Sequence, residues 1–415
     1  MARPEESGFC LTRYTVTLIL STILILSVAC APKAVEQPKT VKVGVLFPMS
    51  GSLADKGKDS SSGALLAFEE VNAAGGIKSL GGARLEMVLA DSKGDPATGA
   101  AETVRLAGEP GLVAIVGTYQ SAVTKVATQE AERLRLPFVV SISLADVITE
   151  RGFRYTFRVQ PKAAFYARDE VAFLADLASM AGLKVKRVAL IHENTDFGTA
   201  SALAQKRALI ERGFDIVAEE SYVAEGVRDL SAEVRRVLAA KPDAILEVTY
   251  LRDSVLIRRA LAAAGSRVPL LDLAGGTVSP EYRQELGSLA EGTLSMAEYS
   301  KYAEGGGELD RRFRARFGTD ITGDSAYAYQ SVLVLRDALE RAGSADRARL
   351  REALAATDLP RGPAMILPAA RLRFDAAGQN ETARLFVVQV QDGDWKPVWP
   401  PEYAVAPVRL GKRPE

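Results

Sequence analysis

Short β-branched runs alternate with alanine-rich amphipathic stretches along most of the chain, and this alternation restricts the fold more than any other feature. VKVGVLF (41–47), ARLEMVLAD (83–91), LVAIVG (112–117) and PFVVSIS (137–143) read as strands. Between them, 60–74, 96–107 and 121–134 carry helical periodicity, the first stopped by Gly75-Gly76. Strand–helix repetition of this kind predicts an α/β fold, a parallel sheet with helices on both faces. The pattern restarts at YTFRVQP (155–161) and runs through a helix over 163–181 and the strand RVALIH (187–192). It continues with a helix over 198–212, FDIVAEESY (214–222), a helix over 230–240, DAILEV (243–248), a helix over 252–264 and VPLLDL (268–273). After about residue 295 the periodicity is helical over 307–317, 324–342 and 346–356. The chain closes with ARLRF (370–374) and 383–395, which the turn Asp375 to Gln379 predicts to form a hairpin.

The 415 residues are too many for one core and suit two domains of roughly 100–200 residues each. Two α/β halves meeting near 158–161 predict a cleft between lobes. Lysine plus arginine and aspartate plus glutamate each total 52, so no net field attracts nucleic acid or acidic lipid, and no basic stripe marks a nucleic-acid face.

The N-terminus reads as an address. Arg13 precedes TVTLILSTILILSVAC, an apolar run suited to a signal-peptide core. Its end resembles a bacterial lipobox, with Ala29 directly before Cys30, although Ser27 stands where leucine is favoured. One reading is a signal peptide over 1–29, lipidation of Cys30 and a tether over 30–40; the other is an uncleaved signal anchor or plain secretion. Of the two cysteines, Cys10 lies in the leader, so cleavage leaves no disulfide, thiolate chemistry or cysteine zinc site. The single histidine, His192, supplies poorly both metal ligation and a serine–histidine–aspartate triad, and its plain reading is a bond to a neighbouring carbonyl. No metal or cofactor is expected.

In open parallel sheets, ligands bind beyond the carboxyl ends of strands, and clefts between domains are preferred sites. The polar residues after each strand are therefore the candidates. Pro48 to Gly57 forms a glycine- and serine-containing loop after the first strand, open to an ordinary reading as a β–α connection. Thr118, Tyr119, Gln120 and Ser121 follow 112–117. Ser121 falls at or near a helix start, where free N–H groups and the helix dipole favour an anion; capping alone also accounts for a serine there. Ser141 and Ser143 alternate in an extended segment and share one side. Phe197 in HENTDFG is placed to close over a ligand, and Tyr250 lies just past 243–248. Asp272 either accepts an ammonium group or fixes its own loop through backbone amides.

The segments GVLFPMSGSLADKG, GALLAFEEVNAAGGI, AIVGTYQS, PFVVSISLADVITERGFRYTFRVQP and VALIHENTDFG resemble the periplasmic leucine/isoleucine/valine-binding family, the type I solute-binding fold that feeds ABC importers. The resemblance covers nearly everything after about residue 40. It implies two Rossmann-like lobes joined by a three-segment hinge, with crossings near 158–161, 296–300 and 374–380. Lobe 1 would comprise 41–159 plus 299–376, and lobe 2 160–298 plus 380–405. It further implies that Ser121 takes a ligand carboxylate, that the loop Ser141–Ala145 supplies main chain and a hydroxyl, and that Phe197 and Tyr250 cover the ligand. Relatives place an acid for the ligand ammonium in the loop after 268–273, where this chain has Ala274 and, two residues earlier, Asp272. The ligand therefore stays open between an amino acid bound differently, an amide and an organic acid without an amine. The expected protein is an extracytoplasmic, lipid-anchored binding component that closes on a small carboxylate-bearing ligand and docks on an ABC permease. A sensor of the same fold is the main alternative. An enzyme is a weaker one, since the chain has no Gly-x-Ser-x-Gly elbow, phosphate-binding glycine loop or metal-ligand cluster.

Overall fold

In the computed structural model, described for residues 1, 39–273, 276–362, 365–367, 369 and 371–410, the first sheet grows outward from β1 (Thr40–Phe47). The other strands are β2 (Arg84–Asp91), β3 (Leu112–Gly117), β4 (Phe138–Val140), β5 (Thr156–Arg158), β6 (Arg187–Glu193), β7 (Asp215–Tyr222), β8 (Ala244–Val248), β9 (Leu270–Asp272), β10 (Leu294–Ala297), β11 (Asp358–Pro360), β12 (Arg371–Arg373), β13 (Phe386–Gln391) and β14 (Asp394–Trp399). The helices are α1 (Ala54–Ala73), α2 (Pro96–Ala107), α3 (Ser121–Arg133), α4 (Ala163–Ala181), α5 (Asp196–Glu211), α6 (Ser231–Ala239), α7 (Leu251–Ala263), α8 (Pro280–Leu286), α9 (Gly306–Phe317), α10 (Gly323–Ala342) and α11 (Arg347–Ala355). Except for Met1, the expected leader and Cys30 lie outside the described residues, as do most of the tether and Ala274.

β1 is parallel to both its neighbours, with Val43 opposite Met87 of β2 and Ala114 of β3. The five-stranded order is β2-β1-β3-β4-β5. Side chains alternate across a strand, so Val41, Val43, Val45 and Phe47 enter one core, and Leu46 enters the other. The first core is shared with α1, α9, α10 and α11, the second with α2 and α3. Both faces of the sheet are thus covered, which is why its strands read as continuous apolar runs. Truncating the fully buried Phe47 to alanine is expected to cost ~3–5 kcal/mol. α1 meets α10 at Gly63, where an added Cβ would lie 2.0 Å from the Ser325 carbonyl oxygen.

The second sheet has the order β14-β13-β10-β9-β8-β6-β7. β6 to β10 are parallel, and β13 and β14 are antiparallel additions at one edge. α4 and α5 share one core with it, α6 and α7 another. The C-terminal hairpin differs from the sequence expectation. β12 pairs with β11, and the hairpin joins β13 to β14. Its two-residue loop is Asp392-Gly393, both at positive φ (58° and 76°). Left-handed backbone at both loop positions matches the twist of paired strands, and Asp-Gly tolerates it well. The segment 375–379 does turn, with the Asp375 N–H donating to the Gln379 carbonyl at 2.9 Å.

The backbone passes between the two sheets after β5, between β10 and α9, and between β12 and β13. These three passages are tied together. The Asn380 N–H donates to the Arg158 carbonyl at 2.9 Å, and the Gln379 side-chain amide donates to the Gln160 carbonyl at 2.8 Å. Gln160 Nε2 in turn donates to Glu298 at 3.0 Å. Arg158, fully buried, donates to Gln379 Oε1 at 2.6 Å, to the Ala145 carbonyl at 2.8 Å and to Thr149 Oγ1 at 2.9 Å. Its bonds are those a buried guanidinium requires, and burial lowers its pKa to about 10.

Candidate functional site

At the carboxyl end of β3 the chain enters α3 without a side-chain cap: Gln120 holds the cap position and makes no capping bond. Ser121 is therefore the first helical residue rather than the cap. Its hydroxyl oxygen accepts from the Ala145 N–H at 3.2 Å. A hydroxyl that accepts from a fixed amide keeps its own proton for another partner. Around it lie the first-turn N–H groups that a helix leaves without intrahelical acceptors. Ser143 differs: its hydroxyl donates to the Tyr119 carbonyl at 2.9 Å and touches Thr124, so its proton is committed within the loop. Thr124 also meets Thr118, so these hydroxyls form a buried network that fixes the α3 entrance.

The second sheet faces this entrance with two rings. Phe197 sits in the first turn of α5, which the Glu193 carboxylate fixes by accepting from the Gly198 N–H and from Thr195 Oγ1, at 2.6 and 2.7 Å. Tyr250 precedes α7 in extended backbone, and its phenol meets the Thr195 hydroxyl. The rings tilt at 48° with centroids 5.4 Å apart, inside the range for a favourable aromatic pair.

Between the two sides lies a cavity. Its lining combines Tyr119, Ser121, Ile142, Ser143 and Leu144 with Phe197 and Tyr250. Gln160, Glu298 and Asp324 complete it. Burial raises the Asp324 carboxyl above the ordinary carboxylate range, offset by Lys56 and by a bond from the Tyr119 phenol. Burial likewise raises Glu298, and the nearby charge of Asp324 adds to the effect. Asp59, behind Asp324, is pushed up to about 7, chiefly by burial.

Of the sequence candidates, Tyr119, Ser121, Ser143, Phe197 and Tyr250 come together here. Gln120 turns away to donate to the Gly94 carbonyl at 3.3 Å. Ser141 is fully buried just past the end of β4 and is not among the lining residues. The expectation that Asp272 receives a ligand group is corrected: it is fully buried, and its carboxylate accepts from Thr277 Oγ1 at 2.8 Å and from Ser295 at 3.3 Å. It fixes its own loop. His192 Nδ1 lies 2.9 Å from the Glu193 carbonyl oxygen, the plain partner expected of it. Glu298, Asp324 and Gln160 were not anticipated. Glu298 follows a strand, so the strand-end rule would have reached it had LSMA (294–297) been read as one. Among the described residues, no group of three or more His, Cys, Asp and Glu side chains is placed to hold a metal ion.

The model of the family described as periplasmic binding protein matches residues 40–394. The Leu/Ile/Val-binding protein homolog 8 of Brucella melitensis biotype 1 is 32% identical over 386 residues, covering 90% of this chain and 93% of that protein. The leucine-binding protein LivK of Thermotoga maritima superposes with a TM-score of 0.76 at 24% identity, covering 88% of this chain and 99% of the other. LivJ of Streptococcus pneumoniae, solved with isoleucine, has a TM-score of 0.74 at 24% identity, covering 86% and 97%. With two parallel-sheet lobes, three passages between them and a cavity at their strand ends, the chain belongs to the periplasmic binding protein family, in its leucine/isoleucine/valine-binding branch.

Proposed function

We propose that this chain is the extracytoplasmic substrate-binding component of an ABC importer for a branched-chain or related amino acid, acting by binding and closure without chemical turnover. The observation that carries the reading is the free Ser121 hydroxyl at an uncapped helix N-terminus, facing an aromatic pair from the other sheet across one cavity. The helix end suits a carboxylate, since unpaired N–H groups and the helix dipole both favour negative charge there. Phe197 and Tyr250 suit the apolar side chain. The relatives named for leucine, isoleucine and valine support this ligand class.

The moving bodies are lobe 1, 41–159 plus 299–376, and lobe 2, 160–298 plus 380–405. A ligand contacting both lobes favours the closed form by as much as its contacts there exceed those in the open form. The closed form then docks on a membrane permease, with a lipid on Cys30 keeping the protein at the membrane. Thermal-shift screening of amino acids, amides and organic acids tests the reading, because a ligand that binds only the folded state raises the melting temperature by mass action. A branched-chain or related amino acid should do so, with a dissociation constant of roughly micromolar or tighter. A melting temperature unmoved by every compound would contradict the reading.

A further inference from the structure

The floor of the cavity carries an acceptor that the fold does not satisfy, beside two buried carboxyl groups. Gln160, 2% exposed, lines the cavity with its side-chain oxygen unpartnered. Its orientation is fixed from the other end, since Nε2 donates to the Tyr166 phenol at 2.7 Å and to Glu298 Oε1 at 3.0 Å. Glu298 Oε1 also accepts from the Tyr166 hydroxyl. Its other oxygen lies against the first turn of α10, where a Cβ on Gly323 would come within 2.7 Å of it. The next residue is Asp324, whose carboxylate also lines the cavity. Lys56 acts on Asp324 through space, and the neutral Tyr119 phenol donates to it. Three acceptors from three parts of the chain therefore converge on one wall. Such a wall is costly to leave empty and selects a ligand group rich in donors that carries positive charge.

We propose that Glu298, Asp324 and the side-chain oxygen of Gln160 form the receptor for a ligand ammonium group, so that the ligand is a zwitterion whose carboxylate lies at Ser121. This rests on the binding reading above and deepens it. An ammonium offers three N–H donors and no acceptor, matching three acceptors without a donor of their own to spare. The assignment moves the amine contact away from the loop after β9, where Asp272 is occupied with Thr277 and Ser295.

The test is calorimetry on the full chain with a panel of L-amino acids, each paired with the carboxylic acid of the same skeleton lacking the amine, such as L-leucine with 4-methylpentanoate. For the tightest amino acid, loss of the amine should weaken binding by about 100-fold or more, because a site built around a polar group rejects the analogue that lacks it. Asp324→Asn and Glu298→Gln should each weaken the amino acid by about tenfold while changing the amine-free acid little. An amine-free acid that binds wild type as tightly as its amino acid would overturn the ammonium receptor and leave the carboxylate-binding reading intact. Discrimination that survives unchanged in both variants would overturn the assignment to these residues. If neither member of any pair binds, the amino-acid reading fails and takes this proposal with it. The wild-type comparison decides the question even where a variant does not fold.

Discussion

The two sheets end at the same cavity with opposite chemistries. On the first, the lining Ser143 and the hydroxyls behind it, Thr118 and Thr124, satisfy one another and a loop carbonyl. On the second, two aromatic rings and Glu298 line the cavity, and this side also holds fully buried carboxylates. Glu170 and Glu247 each keep one oxygen unpartnered, while Asp272 is bonded on all sides. The first side's supporting hydroxyls are already paired with one another, whereas Ser121 keeps its proton for another partner. The second offers an aromatic cover, and it carries desolvated acids whose protonation links its stability to pH.

If the aromatic side supplies cover, its removal should have the largest effect. Phe197→Ala and Tyr250→Ala should each weaken the tightest amino acid by ~2–4 kcal/mol in calorimetry, since buried aromatic anchors dominate binding. A loss confined to on-rate would contradict a covering role. If the hydroxyl side orients, Ser121→Ala should weaken binding by ~1–3 kcal/mol, the range for a hydrogen bond to a charged group. Ser143→Ala should instead lower the melting temperature with a smaller change in affinity. Equal affinity losses in both serine variants would erase the distinction between free and committed hydroxyls.

The buried acids sharpen the contrast through pH. Burial pushes Asp272 up to about 7, so the folded protein holds a proton that the unfolded chain releases in the ordinary carboxylate range, near ~4. A group raised in this way contributes most stability below ~4, and that contribution is lost as pH rises through about 7. Relative to wild type, Asp272→Asn should therefore gain melting temperature between pH 5 and pH 8, an advantage of ~1–3 kcal/mol. A difference independent of pH would show that Asp272 is already ionised in the folded state.

The smallest effect belongs to the rim. Lys125 of α3 and Asp196 of α5 form an ion pair of 2.5 Å between helices of the two sheets, with both side chains about 40% exposed. Exposed pairs contribute ~0–1 kcal/mol and are screened by salt. Lys125→Ala should weaken binding by no more than that, and the difference should vanish in high salt. A loss that persisted there would place Lys125 in the site itself.

How far the sequence could be read follows the same division. Strand–helix alternation located both sheets, and strand ends located Tyr119, Ser121, Ser143, Phe197 and Tyr250, because backbone topology alone brings those positions together. Glu298 escaped because Leu-Ser-Met-Ala in β10 lacks β-branched residues; its strand character comes from pairing with β9 and β13. Asp324 looks like an ordinary acid in a helix's first turn, and only the packing of α10 beside the cavity gives it another role. Gln160 lies in a passage between sheets, which has no periodicity to read. Asp392-Gly393 did carry a hairpin signal in the sequence. The turn at 375–379 closes an antiparallel bridge between Phe374 and Asn380 but does not pair β12 with β13.

The most direct test of the central claim is a crystal structure of the chain with the tightest amino acid of the panel. The ligand carboxylate should lie within hydrogen-bond distance of Ser121 Oγ and the first-turn N–H groups of α3, with Phe197 and Tyr250 over its side chain. A carboxylate bound anywhere else, with Ser121 still bonded to Ala145 alone, would contradict the account.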